Sequence, residues 1–339
     1  MANIVLGMAL SHTPQLNTAA EDWNLRVEVD KKRTDHIYRG KRYDWSGLLK
    51  VRQGDVKEAD ITLEQKIASL KIGRDAIDQL EKYYQDVKPD IAVIVGNDQK
   101  EMFSDDIQPA FTIYAAEKIT NKPRTDAEKS RMPLATTIAD HGHIPPEETT
   151  YDCHPELANH IIKMAINDEF DVSYTNEQHF VSSDKSIMQG IPHAFGFVYR
   201  QIMKDKVIPN VPIIQNTFYP PKQPTAKRCF DFGKSIGRSI QAWESDSKVG
   251  IFASGGLSHF VVDEEFDRKF LKILLGENWD ELSELDETIF QSGTSECKNW
   301  VTAAGILSVS DLKMNLLNYQ TFYRSLGGIG TGTAFAAWK

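Results

Sequence analysis

At 339 residues, with 41% hydrophobic and 26% charged residues, the chain has the make-up of a globular protein with ample material for a core. Its formal net charge of -9 argues against a nucleic-acid partner, which would require a basic face, and no apolar run approaches the length of a membrane span. The three cysteines, Cys153, Cys229 and Cys297, are far apart and form no CxxC pair, so neither a disulfide framework nor a structural zinc site is expected, and a cytoplasmic location fits best.

Residues 4–10 are apolar and read as a first strand. No basic segment precedes them and no small-residue cleavage site follows, so they are not read as a signal peptide. The strand ends at Ser11-His12-Thr13-Pro14, where the proline cannot continue a ladder, and this puts His12 at a strand end. Residues 17–58 are charged, dotted with aromatics and poorly periodic. They read as an excursion at the rim, helical in part, with His36 at its surface.

Apolar residues at Ile67, Leu70, Ile72, Ile77, Leu80 and Tyr84 predict a helix over 62–84, stopped by Pro89. The run 90–95 is a buried strand, followed by the loop Gly96-Asn97-Asp98-Gln99. A further strand is expected at 110–115. Residues 121–146 read as one long loop of the kind that forms lids, and the His141-Gly142-His143 pair in it suggests adventitious metal binding.

His154 and Pro155 open a helix that runs to 167. A short strand at 171–174, a loop over 178–191 and a helix after His193, running to 202, come next. A strand at 211–216, a proline-rich loop at 220–224 and a helix over 226–243 follow. The strand 249–253 is broken by Ser254-Gly255-Gly256, which places His259 on a loop at its carboxyl end. Helices are expected at 263–275, 281–290 and 296–304, the last opened by Glu296 behind a Ser-Gly-Thr-Ser turn. The glycine-rich tail from 323 ends in a final strand, GTAFAAWK. Strands alternate with helices throughout, which predicts α/β architecture: one large domain over 1–339, with a central, mostly buried mixed sheet flanked by helices.

His12, Gln99 and His259 thus stand at strand ends, and Glu296 at a helix start. Two neutral donors and one carboxylate, with positions left open, is a set that binds non-haem Fe(II). Spacing by itself does not bring these residues together.

Several segments, in order, are GMALSHTPQL, PDIAVIVGNDQ, CHPELANHI, IPHAFGF, TFYPPKQPTAKRCFDFGKSI, ASGGLSHF and SGTSECKNW. In these the chain resembles the class III extradiol ring-cleavage dioxygenases, the group of the protocatechuate 4,5-dioxygenase β subunit and the gallate and 3-O-methylgallate dioxygenases. The resemblance implies Fe(II) held by His12 and Glu296, an acid–base His259, and a substrate-contacting His193. It implies a catechol- or gallate-like substrate, with or without an O-methyl group, opened by O2 to a muconate semialdehyde or, if a methoxyl leaves, a lactone. A homo-oligomer such as a dimer, or a small helical partner subunit, would also fit the group.

One position departs from the pattern. The second iron-binding histidine follows Asn-Asp in the family, and here Gln99 stands there. A carboxamide oxygen is the weaker ligand. Either Gln99 ligates through that oxygen, or Glu101 or His36 supplies the ligand, or tight iron binding is lost. A metal-dependent hydrolase or zinc enzyme, or a non-catalytic binding protein on the same scaffold, are the rival readings. Lys222, Lys227 and Arg228 are the candidates for attracting a substrate carboxylate, and Tyr219 could line the pocket.

Overall fold

A computed structural model describes residues 1–179 and 190–339. The chain starts with β1 (Asn3–Leu10), then enters an excursion made of α1 (Trp23–Asp30), the hairpin β2 (His36–Tyr38) and β3 (Lys41–Tyr43), and α2 (Trp45–Val51). The long α3 (Leu63–Val87) leads into β4 (Ile91–Gly96) and β5 (Phe111–Tyr114). β6 (Lys118–Asn121) and β7 (Thr149–Asp152) form a second hairpin around the short helices α4 (Asp126–Ser130) and α5 (Leu134–Thr137). Then come α6 (Pro155–Asn167), β8 (Ser173–Thr175), α7 (His193–Phe197), β9 (Asn210–Gln215), α8 (Ala226–Ala242), β10 (Lys248–Ser254) and β11 (His259–Val261). The chain ends with α9 (Glu264–Gly276), α10 (Trp279–Ser283), α11 (Cys297–Leu307), β12 (Met314–Tyr323) and β13 (Ile329–Trp338).

The expected mixed sheet is present, nine-stranded among the described residues. Its order is β11-β13-β1-β10-β4-β9-β5-β8, with β12 also on β13. Both faces are covered. In β4, Ile91, Val93 and Val95 enter one apolar core while Ala92 and Ile94 enter the other, as period-two alternation requires of a strand buried on both sides. The first core is closed by α6, α8, α9 and α11 through residues such as Leu157, Phe232, Phe270 and Trp300. The second is closed by α3 and α7 through Ile77, Leu80 and Phe195. Each fully buried side chain of this size contributes roughly 1.5–3 kcal/mol.

The parallel register determines where chemistry can sit. Leu10 pairs with Ser254, and Ala253 with Val95. The carboxyl ends of β1, β10 and β4 are therefore level, and the residues just beyond them emerge on one rim, where α/β sheets place their sites.

Several expectations change. β12 is a strand that the sequence pattern does not announce, because a bulge between Leu316 and Asn318 breaks its alternation and most of it is only half-buried. The last strand begins at Ile329, ahead of the GTAFAAWK stretch. The helix expected over 281–290 is confined to Trp279–Ser283. Beyond it, Asp286 Oδ1 accepts the Thr288 N–H, a local side-chain bond that competes with helix continuation. The loop expected over 121–146 holds two short helices, the first closed by a Thr125/Glu128 capping box. His36 is buried rather than on the surface, with Nε2 3.0 Å from the Asp30 carbonyl oxygen. Most of the loop expected at 178–191 lies outside the described residues.

Candidate metal centre and substrate cavity

His12, Gln99, His193, His259 and Glu296, distant in sequence, all line one cavity of ≈ 230 Å³. That is below the ~300–1,000 Å³ of sites for drug-sized ligands and suits a single-ring compound.

Glu296 is the centre of the group. It ends the 3-10 turn Ser292–Glu296 and is 1% exposed. Its Oε2 lies 3.2 Å from His12 Nε2 and 3.6 Å from His259 Nε2, and accepts the Gly256 N–H at 3.0 Å. Its Oε1 accepts Asn97 Nδ2 at 3.3 Å and Gln99 Nε2 at 3.1 Å. Burial alone would push this carboxyl up, but His12 and His259 outweigh it and hold Glu296 well below the usual carboxylate range.

His12 follows β1, with Nδ1 2.9 Å from Ser254 Oγ at the end of the neighbouring β10. This leaves Nε2 for the cavity. Burial depresses the His12 pKa more than Glu296 raises it, a shift toward the neutral ring that binds metals. His193 opens α7, and its Nδ1 is 2.5 Å from Glu101 Oε1, which also accepts the His193 backbone N–H at 3.2 Å. Burial opposes the charged ring, yet Glu101 more than compensates and the His193 pKa is raised. One ligand atom each from His12, His193 and Glu296 lies within 4.8 Å of the others. The sequence pattern groups Gln99 with His12 and Glu296 and leaves His193 to the substrate. His193 thus stands beside His12 and Glu296, and Gln99 adjoins them as a donor to Glu296.

His259 is arranged differently. Its Nδ1 lies 2.7 Å from the Leu257 carbonyl oxygen, so that nitrogen carries the proton and Nε2 is the basic atom, on the cavity side. Burial lowers its pKa, but Glu296 and then the Leu257 carbonyl raise it further, for a net increase. Gly293 is required against this ring, because any Cβ there would overlap the imidazole.

A layer of polar side chains supports this group. Asp98 accepts the backbone N–H groups of Lys100, Glu101, Met102 and Phe103, and this curls the loop so that Glu101 meets His193. Beneath Glu296, Asn299 Nδ2 donates to Asn97 Oδ1 and to the Ser254 carbonyl, Gln215 donates to Asn299, and Thr302 to Gln215. Glu101, a candidate ligand from the sequence, holds a histidine instead. His36, the other candidate, is not on the cavity wall. Of the HxH pair, His143 lines the cavity and His141 is exposed. Lys222, Lys227, Arg228 and Tyr219 are not on the wall: Lys227 pairs with Asp231, and Arg228 lies over Phe170. His154 caps α6, accepting the Leu157 N–H as expected of a helix brace.

Residues 57–334 match the family described as the catalytic LigB subunit of aromatic ring-opening dioxygenase. The chain belongs to this family. It is also 29% identical over 211 residues to gallate dioxygenase of Pseudomonas putida, a match covering 57% of this chain and 56% of that protein. The chain thus spans just over half the length of this curated relative. His259 and Glu296 fall inside the family match and His12 ahead of it, yet all three meet in the cavity. Among the described residues no helix is long and apolar enough to cross a membrane.

Proposed function

We propose that this LigB-family protein is an Fe(II)-dependent extradiol dioxygenase that opens the ring of a catechol- or gallate-like substrate with O2. The observation that carries this reading is the His12–His193–Glu296 triple, with His12 and Glu296 buried and His193 half-buried, and His259 on the same small cavity with its Nδ1 held by the Leu257 carbonyl.

The donor set fits a divalent first-row cation. It offers two imidazoles and an ionised carboxylate, and the second nitrogens of both rings are engaged, by Ser254 and Glu101. His12, His193 and Glu296 would hold the ion. Gln99 keeps its bond to Glu296 or turns its amide to add a weak oxygen ligand. A bound Fe(II) would supply the redox-active centre that lets a vicinal diol and O2 react.

The protein's own groups do the rest. His259 Nε2 accepts the proton of one substrate hydroxyl, since its Nδ1 proton is held by the Leu257 carbonyl. Glu101 fixes the His193 ring in one tautomer and orientation. Both atoms of O2 end in the ring-opened product.

The test is O2 uptake with catechol, protocatechuate, gallate and 3-O-methylgallate after anaerobic Fe(II) loading, with metal analysis alongside. Consumption of at least one phenol with near-stoichiometric iron is expected. Stoichiometric zinc with no phenol consumed would replace this reading with that of a zinc hydrolase, for which two histidines and a glutamate also suffice.

A further inference from the structure

The cavity carries a charge that ring opening does not use. Three arginines line it: Arg26, Arg124 and Arg324. Two are neutralised from within. Arg124 Nε is 2.9 Å from Asp140 Oδ2. Arg324 makes two bonds to Asp30 Oδ2, at 3.1 and 2.9 Å, and a third to Gln15 Oε1 at 3.0 Å.

Arg26, on α1, is different. Its Nε donates to the Ala135 carbonyl of α5 at 3.1 Å, which fixes the plane of the guanidinium. Among the described residues no carboxylate pairs with it, and its two terminal nitrogens have no protein acceptor. Burial, and then the neighbouring Arg324 charge, bring its pKa down to about 10, so it stays charged at neutral pH. Arg26 is half-buried, and a partly desolvated cation gains when an anion joins it. A guanidinium held by Nε and open at both terminal nitrogens has the geometry for a bidentate carboxylate.

We infer that Arg26 is the anion receptor of this cavity and selects aromatic rings that bear a carboxylate. The inference rests on the proposed ring-opening function for its biological meaning, but not for its test. The surface candidates from the sequence, Lys222, Lys227 and Arg228, are excluded by position. Arg26 sits on the wall of the cavity that also holds the His12–His193–Glu296 triple, so a ligand in that cavity lies within the reach of both groups' lining.

The experiment compares benzoate with its neutral isostere benzamide by titration calorimetry. Wild type, Arg26→Gln and Arg26→Lys are used, each checked for its thermal midpoint. Wild type is expected to bind benzoate at least about tenfold more tightly than benzamide, with Arg26→Gln losing the preference and Arg26→Lys keeping part of it. Equal binding of the two ligands by wild type overturns the inference, whatever the variants do. So does an undiminished preference in Arg26→Gln; should that variant fail to fold, an unchanged preference in Arg26→Lys overturns it equally. In O2-uptake assays, Arg26→Gln should raise KM for gallate by about tenfold while leaving KM for pyrogallol, which lacks the acid, within about twofold. If no phenol is consumed by any form, the ring-opening reading fails, and the benzoate comparison still decides the role of Arg26.

Discussion

The two walls of the cavity are built on different plans. The inner wall, with His12, Gln99, His259 and Glu296, stands on strand ends and on a turn packed behind them, and each of these side chains is tied to a second buried group. The outer wall, with Arg26, Thr136, Ala139 and His143, comes from short helices joined mainly by side chain-to-backbone bonds such as Arg26 to Ala135 and Asn121 to the His143 carbonyl. The inner plan ties each side chain to a partner and suits chemistry. The outer plan can change residue by residue without disturbing the sheet, and suits choice of substrate.

This contrast is open to test, and the largest effect belongs to the inner wall. Glu296→Gln keeps the shape but removes the charge that draws His12 and His259 together. Metal content after loading should fall to background and ring opening with it, while the thermal midpoint stays measurable. Retention of metal and turnover would mean the triple is not the centre. Next comes His259→Gln, which should retain the metal yet lower kcat by ~10²–10⁴-fold, the usual range for a lost acid–base group. A drop in metal content there would recast His259 as a ligand.

Glu101→Gln is a finer probe. It leaves His193 in place but removes the anion behind it, and metal affinity should weaken by ~10–100-fold. The matching change on the outer wall, Asp140→Asn beside Arg124, should leave metal affinity within about twofold, since Asp140 touches none of the triple. If the two variants behave alike, the walls are not separate in function.

The same division explains what could be read from the chain beforehand. Ile91–Gly96 and Lys248–Ser254 are strands buried on both faces, and such apolar runs with glycine breaks locate strand ends whatever the surroundings. The position of His259 past β10 was legible for that reason, although it opens the short strand β11 rather than lying on a loop, and that of His12 from the proline that ends β1. Glu296 was legible from its turn and from family likeness. The tie between Glu101 and His193 was not. Asp98 accepts the Glu101 N–H and Glu101 holds His193, a chain of bonds between segments far apart in sequence, with no periodic signal. Arg26 was still less visible, because an arginine on a short, weakly apolar helix looks like any solvated charge until α5 is packed beside it.

A smaller and slower effect should appear in stability. Asp267, on α9, accepts the Ser258 backbone N–H at 2.8 Å and the hydroxyls of Ser258 and Tyr319 at 2.7 and 2.9 Å, and so braces the segment that carries His259. Burial pushes its pKa up to about 7, against hydrogen bonds that pull the other way. The folded protein then keeps this proton across a range where the unfolded chain, with an ordinary aspartate near ~3.9, has released it. Between about pH 4 and pH 7 the native state binds more protons, so this group's contribution to stability falls as pH rises, by at most about 1.4 kcal/mol per unit, and levels off above the folded pKa. Asp267→Asn cannot ionise and should flatten that part of the profile of thermal midpoint against pH. The inner wall would thereby lose a sensitivity to pH that nothing on the outer wall contributes through this residue. An unchanged slope in the variant would assign the pH dependence to other groups and leave Asp267 ionised, held by its three donors.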